Sequence, residues 1–366
     1  MVNVVLAGGG TAGHTSPLIA TAEALRSAAP DAGLSAIGTP KGLESRVVPA
    51  AGLELDLIPP VPLPRKPSAD LLLVAPRLAK AISAAKEVLV RRRAEVLVGF
   101  GGYVAMPAYL AAKQLKLPIV VHEQNSVPGL ANKIAAKLTG EVYTAYPETG
   151  LADGTFIGLP LRTEITSLDR SGEHDAAAKH FDLDPGKPVF LVSGGSQGAK
   201  SLNEAVLKAY PKLLARGIQV LHVLGRKNFT DEMMSHTDEE TGAVYRPVAY
   251  VEHMEQAYAA ADLMLGRAGA GTVVETAVVG LPSILVPLPH GNGEQARNAE
   301  AVVTAGAAQL LEDSALTPDW LLSVVPELIN DSDALARMSR AGRDLMPANA
   351  AEVLASRVLA VSSLRG

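Results

Sequence analysis

The chain contains no cysteine. That excludes a disulfide framework, thiol catalysis and thiolate zinc sites, and it fits a cytoplasmic setting. Aromatic residues make up only 4%, so the cores must be filled by Ala, Val and Leu, as in helices packed on sheets. Basic residues are not in excess. Lys and Arg number 33 against 38 Asp and Glu, a formal net charge of −5, which leaves no electrostatic footprint for nucleic acid over the whole chain. No apolar run approaches the ~18–20 residues of a membrane span. No basic region precedes the first apolar run, and that run ends in a glycine loop, so a signal peptide is not expected. With 48% hydrophobic and 19% charged residues over 366 positions, the composition is globular and the length suits two domains.

The run Val2-Asn3-Val4-Val5-Leu6-Ala7 enters Gly8-Gly9-Gly10-Thr11-Ala12-Gly13-His14. A short β-branched run reads as a buried strand. Leu18, Ile19, Ala22 and Leu25 then follow at helical spacing. Strand, glycine loop and helix start together point backbone N–H groups at a phosphate. His14 adds something a phosphate cradle does not need, an imidazole suited to proton transfer. The device recurs where Val189-Phe190-Leu191-Val192 enters Ser193-Gly194-Gly195-Ser196-Gln197-Gly198-Ala199. Strand-like runs alternate with helical ones throughout, the pattern of parallel sheets with helices on both faces. The expected fold is therefore α/β, with two Rossmann-like domains facing across a cleft. The expected domains are 1–160 and 161–345, with a C-terminal helix within 346–366.

Three strand ends carry candidate chemistry. His122-Glu123-Gln124-Asn125 follows Ile119-Val120-Val121, at the edge where open α/β sheets bind ligands. Arg267-Ala268-Gly269-Ala270-Gly271-Thr272-Val273-Val274-Glu275 follows Leu263-Met264-Leu265. Thr272 is placed to cap a helix, and Glu275 to pair the two hydroxyls of a ribose. After Ile284-Leu285-Val286 come His290, Glu294, Gln295 and Asn298, the last three being candidates for sugar hydroxyls. Gly8 to Gly13 also matches the dinucleotide fingerprint by letter, so an NADP-dependent oxidoreductase is one alternative. That fingerprint expects a carboxylate roughly 20 positions on, where this chain has Ala36-Ile37-Gly38-Thr39-Pro40-Lys41. A non-catalytic lipid-phosphate binding protein is another alternative, but it would have no use for His14, Asn125 and Gln295 together. No His pair has zinc-ligand spacing. Asp182-Leu183-Asp184 reads as a turn and Asp331-Ser332-Asp333 as a helix N-cap.

Pro59 to Pro67 is proline-rich and leads into Leu71-Leu72-Leu73-Val74, with Arg65, Lys66, Arg77, Lys80, Lys86 and Arg91-Arg92-Arg93 nearby. Two readings compete: a helix with an ordinary solvated basic face, and a surface that touches an anionic membrane.

Taken together, GGGTAGH at 8–14, GFGGY at 99–103, HEQNSVPGLAN at 122–132, GGSQGAKSLN at 194–203 and RAGAGTVVE at 267–275 resemble one family. It is the bacterial UDP-N-acetylglucosamine–N-acetylmuramyl-(pentapeptide) pyrophosphoryl-undecaprenol N-acetylglucosamine transferase family, the MurG family. The resemblance implies the GT-B glycosyltransferase architecture, with the last helix returning to the first domain. It implies inverting transfer of N-acetylglucosamine from UDP-GlcNAc to the C4 hydroxyl of undecaprenyl-diphospho-N-acetylmuramoyl-pentapeptide, converting lipid I to lipid II in peptidoglycan synthesis. No cofactor is expected, and the residue patterns offer no metal site. The resemblance places the enzyme peripherally on the anionic cytoplasmic face of the plasma membrane, with cell-wall synthesis and division proteins as candidate partners. By the same resemblance His14 is the candidate general base. Thr11, Ala12, Gly13 and Asn125 face the donor sugar, and Arg162 contacts the nucleotide. Ser196 falls at the phosphate contact, Val251 beside uracil, and Ala270, Gly271, Thr272, Val273, Val274 and Glu275 along the nucleotide, with Glu275 on the ribose. Gln295 falls on the sugar. The chain departs from the family pattern at Ala12, where many members have Gly, and at Glu294, where some have Gln.

Overall fold

The computed structural model describes residues 2–61, 71–151, 153–195, 197–290 and 292–363, with the backbone alone at 71–73. The chain forms two compact units, Met1–Thr163 with Ala348–Gly366, and Glu164–Pro347.

The first unit is built on β1 (Asn3–Ala7), β2 (Gly33–Gly38), β3 (Glu54–Leu57), β4 (Val96–Gly99), β5 (Ile119–Glu123), β6 (Val142–Thr144) and β7 (Thr155–Phe156). They form one sheet in the order β3-β2-β1-β4-β5-β6-β7, every pair parallel. Its helices are α1 (Ala12–Ala28), α2 (Glu44–Ala50), α3 (Leu71–Arg91), α4 (Gly102–Gln114) and α5 (Leu130–Ala135). Both faces of the sheet are covered, which explains why β1 is apolar at nearly every position instead of alternating. Val4 and Leu6 join Leu18 and Leu25 of α1 on one face. Val5 and Ala7 join Val88 of α3, Val104 and Ala108 of α4 and Ala131 of α5 on the other. Leu354, Ala355 and Val358 of the final helix complete the first of these clusters. Each large apolar side chain so buried is worth ~1.5–3 kcal/mol, enough to hold the chain's end on this unit.

The second unit opens with α6 (Thr163–Thr166), which starts at the boundary, and α7 (Arg170–His180). Its strands are β8 (Val189–Ser193), β9 (Gln219–Val223), β10 (His236–Thr237), β11 (Val244–Val248), β12 (Leu263–Gly266), β13 (Ser283–Leu285) and β14 (Ala308–Leu310). The order is β10-β11-β9-β8-β12-β13-β14, parallel except for the β10–β11 pair. The helices are α8 (Lys200–Leu214), α9 (Met254–Ala260), α10 (Ala270–Val279), α11 (Glu294–Thr304), α12 (Pro318–Ile329), α13 (Ser332–Leu345) and, returning to the first unit, α14 (Ala350–Ser363). Pro247 sits inside β11, where β10 pairs only with Val244 and Tyr245. Its missing N–H therefore breaks no ladder on that side.

In both sheets the chain reverses its direction of travel beside the first strand, between β1 and β4 and between β8 and β12. Such switch points are where open α/β sheets bind ligands, outside the carboxyl ends of the strands. Both glycine loops leave from these strands. Asp331 is the N-cap of α13, its carboxylate accepting from the Ala334 N–H at 2.9 Å. Asp182 has φ +54 and Asp184 accepts from the Gly186 N–H, so that pair makes a turn.

Candidate active site

In the first unit, three sequence motifs meet at the ends of β1, β4 and β5. Thr11 is the N-cap of α1, so His14 stands in the helix's first turn, half-buried. Its Nδ1 lies 2.9 Å from the Thr11 hydroxyl oxygen. A Cβ added at Gly101 would lie 3.3 Å from His14 Cδ2 and 3.1 Å from Asn132 Nδ2. The imidazole thus packs against the β4–α4 loop, which in turn packs on α5. Gly102 has φ +80, and a Cβ there would stand 2.5 Å from the Gly9 carbonyl. Only glycine takes that backbone without strain and lets the two loops touch. Burial pushes the His14 imidazole down to about 4, against an upward pull from the Glu44 carboxylate. The ring is neutral at pH 7.

Glu123, buried at the end of β5, organises the loop that carries Asn125. Its carboxylate accepts from the Asn125 and Gly129 N–H groups at 2.9 and 3.0 Å and from Asn132 Nδ2 at 2.9 Å. Asn132 accepts from the Tyr109 hydroxyl at 2.7 Å. His122 is fully buried and donates through Nε2 to the Gly158 carbonyl. The polar cluster read after β5 therefore splits: His122 and Glu123 support the loop from beneath, and Asn125 is half-buried at its surface.

One expectation for the first loop is corrected. The Gly10 N–H, placed by the sequence pattern to meet a phosphate, donates instead to the buried Glu44 carboxylate at 2.8 Å. An internal anion already occupies the underside of the loop, which disfavours a dinucleotide phosphate there and counts against the oxidoreductase alternative.

In the second unit, the loops after β8, β12 and β13 converge in the same manner. Gly198 has φ +73, and a Cβ there would lie 2.1 Å from the Leu224 carbonyl, so the glycine loop seats directly on the end of β9. Ser196 lies outside the described residues. Helix α10 starts at Ala270 with Gly269 as its N-cap. Thr272 is therefore inside the first turn and is not the cap, because the small residues 268–271 let the helix begin three residues earlier than the hydroxyl suggests. Val273 and Val274 are fully buried, so they can meet a nucleotide through backbone only, while Gly271, Thr272 and Glu275 are partly exposed. The Tyr258 hydroxyl donates to Glu275 at 2.7 Å and orients the carboxylate. Val251 is 8% exposed, and beside it the Arg226 guanidinium stacks over the Tyr250 ring at 4.4 Å. Gln295 accepts from the Leu288 N–H at 2.9 Å through its Oε1, which aims its amide nitrogen away from that loop. Burial raises the Glu294 carboxyl beside it. Asn298 is fully buried in α11, so it is corrected from a sugar-binding candidate to a core residue. Arg162 is half-buried at the end of the first unit.

Sequence reasoning missed the side chain that ties these loops together. Arg267 donates to the Val286 and Pro287 carbonyls at 3.2 and 3.1 Å, to Asp313 at 2.5 Å and to the Ser201 hydroxyl at 2.8 Å. One guanidinium so links the ends of β12 and β13 to the first turn of α8. An Arg directly after a strand and before a small-residue loop was the available signal.

Parallel α/β units with glycine loops at both switch points define a class, the GT-B glycosyltransferases. The glycosyltransferase family 28 N-terminal domain matches residues 4–144 and its C-terminal domain residues 189–355. Two relatives bear the name UDP-N-acetylglucosamine–N-acetylmuramyl-(pentapeptide) pyrophosphoryl-undecaprenol N-acetylglucosamine transferase. One, from Cutibacterium acnes, is 58% identical over 99% of this chain and 98% of its own length. The other, from a Nocardioides species, is 52% identical over 98% of each. The crystal structure of MurG from Acinetobacter baumannii is similar with a TM-score of 0.78 at 28% identity, covering 98% of this chain and 100% of that one. The chain belongs to this family of N-acetylglucosamine transferases within glycosyltransferase family 28.

Proposed function

We propose that the protein transfers N-acetylglucosamine from UDP-GlcNAc to the C4 hydroxyl of an undecaprenyl-diphospho-muramoyl-pentapeptide, lipid I, with inversion. The observation that carries the mechanism is a neutral His14 imidazole, held by Thr11 in the first turn of α1. Inverting transfer needs a base on the acceptor hydroxyl and stabilisation of a leaving diphosphate. His14 supplies the base through Nε2 when its Nδ1–H donates to Thr11. Backbone N–H groups of the second glycine loop and the start of α8 suit the diphosphate. Glu275, aimed by Tyr258, receives the ribose hydroxyls, and Gln295 the sugar. Thr11, Ala12, Gly13 and Asn125 are the further candidates for the donor sugar, Arg162 for the nucleotide and Val251 for the base. Release of UDP from UDP-GlcNAc should depend on a lipid I analogue. UDP release at the same rate without acceptor would leave only a hydrolase.

Glu275→Ala should weaken UDP-GlcNAc by ten- to a hundredfold, the ~1.5–3 kcal/mol of hydrogen bonds to a charged group. A 2′-deoxyribose donor should lose most of the same energy against the wild type and little more against the variant. Equal affinity of variant and wild type in a calorimetric titration would remove Glu275 from the ribose.

The acceptor carries a polyprenyl tail, and no described helix is long and apolar enough to cross a membrane. The reading is therefore peripheral attachment to the cytoplasmic face through the segment Val61 to Arg93. Leu63, Arg65 and Lys66 lie outside the described residues. Two candidates for headgroup contact are corrected: Arg91 pairs with Asp56 at 2.6 Å, and Arg92 with Asp56 at 2.7 Å and with Glu54. Their charges are offset by the edge strand β3. Lys80, Lys86 and Arg93 remain exposed on and after α3, beside an exposed Val90. Each charge near an anionic surface is worth ~1 kcal/mol, so three amount to about a hundredfold. Changing Lys80, Lys86 and Arg93 to Glu should lower sedimentation with anionic vesicles by at least that factor. Equal binding would assign the basic face to solvent.

A further inference from the structure

The glycines of the first loop and of the loop after β2 are shaped around a side chain. Glu44 opens α2 and is fully buried. One carboxylate oxygen accepts from the Gly10 N–H at 2.8 Å. The other accepts from the Thr39 N–H at 2.9 Å and the Thr39 hydroxyl at 2.8 Å. A Cβ added at Gly9, Gly38 or Gly42 would stand 2.5, 2.6 or 2.0 Å from an atom of this one side chain. Burial pushes its carboxyl upward, but the hydrogen bonds from Gly10 and Thr39 outweigh that and hold it below its ordinary value. It is an anion at neutral pH, lodged under the loop that leads to His14.

A buried anion is costly unless something uses its charge or satisfies all its lone pairs. Here three hydrogen bonds satisfy it, and the nearby titratable group it acts on is His14. We propose that Glu44 is a positioning residue for the transfer: it occupies the place a phosphate would take in the first glycine loop, pins Gly10, and provides the counter-charge to the imidazolium that forms on His14. The proposal rests on His14 being the base. It also gives the acceptor's diphosphate no partner in the Gly10 N–H. The carboxylate acts on the proton transfer through space and does not itself gain or lose a proton: the acceptor hydroxyl proton moves to His14 Nε2 as the hydroxyl oxygen bonds to the anomeric carbon and the UDP oxygen leaves.

Charge and shape can be separated. Glu44→Gln keeps the size but removes the charge, and it cannot accept on both sides. Turnover should fall about thirtyfold, with UDP affinity unchanged in calorimetry. Glu44→Asp keeps the charge one methylene back and should recover turnover to within about fivefold of wild type. In a His14→Ala background, Glu44→Gln should cost less than about threefold more, because residues that act as one unit are not additive. Should Glu44→Gln fail to fold in a thermal melt, Glu44→Asp gives the same cycle with a smaller first loss. Equal losses for Gln and Asp, or losses that multiply in the double variant, would make Glu44 a loop support only and overturn the proposal. Full turnover by His14→Ala would overturn the base assignment itself, and this role with it.

Discussion

His14→Ala is expected to lower turnover at least a hundredfold while leaving UDP affinity nearly unchanged. A positioned general base contributes ~10²–10⁴ in rate, and the fold prepares this one in two ways. The Thr11 hydroxyl oxygen at 2.9 Å from Nδ1 can accept a hydrogen bond from Nδ1–H, which leaves Nε2 bare to accept a proton. Burial pushes the free imidazole down to about 4, so the proton-accepting form predominates across the neutral range. The motif's glycines are not the source of this effect, and a histidine placed for packing alone would leave turnover intact. Steady-state UDP release and a UDP titration of the same variant check it. Wild-type turnover would remove the role, and a matching loss of UDP affinity would make His14 a binding residue.

The second large effect concerns acid. His122 and His222 are fully buried, one in each unit. Burial pushes His122 down to about 4 and His222 to about 3. His222 is neutral because it is buried, and both ring nitrogens have partners: Nε2–H can donate to Asn203 at 3.1 Å and Nδ1 accept from the Tyr245 hydroxyl at 3.1 Å. In both cases the folded value lies below the unfolded one, so protonation favours the unfolded chain. Stability is complete above the unfolded pKa near 6.5 and falls as pH drops toward the folded values. The loss is on the order of 3 kcal/mol for each of these two histidines by pH 4, with His14, also lowered by burial, adding to the first unit, against a total of ~5–15 kcal/mol for a typical domain. Glu44 and Asp56, both lowered, have the opposite displacement of charge but the same consequence, since their contribution is lost as pH falls through their folded values. Urea midpoints should hold steady above pH 7 and decline from about pH 6.5. His222→Gln should flatten the decline of the second unit alone. Midpoints unchanged between pH 7 and 4.5 would show that both histidines protonate without cost.

Much of the architecture was readable along the chain. Both faces of a parallel sheet are covered, so its strands announce themselves as apolar runs, and Val4 to Ala7 and Val189 to Val192 are the clearest. Strands without such runs escaped. Glu54-Leu55-Asp56-Leu57 forms the edge strand β3, and its carboxylates serve Arg91, the last residue of α3, and Arg92 just after it. The start of α10 was placed too late because Thr272 looks like a cap, whereas Gly269 takes that position.

The sequence by itself determined the two α/β units and the strand ends that carry the glycine loops, because periodicity and turn chemistry are local properties, and its motifs carried the resemblance that names the family and makes His14 the candidate base. Tertiary structure alone decided which charges meet. Glu44 reaches Gly10 across 34 positions, Arg92 reaches Asp56 across 36 and Arg267 reaches Asp313 across 46. Strand order sets those pairings, and strand order is fixed by how whole helices cover the two faces of a sheet. A carboxylate beneath a phosphate-type loop, and two arginines withdrawn from a basic face, follow from that packing and from no local pattern.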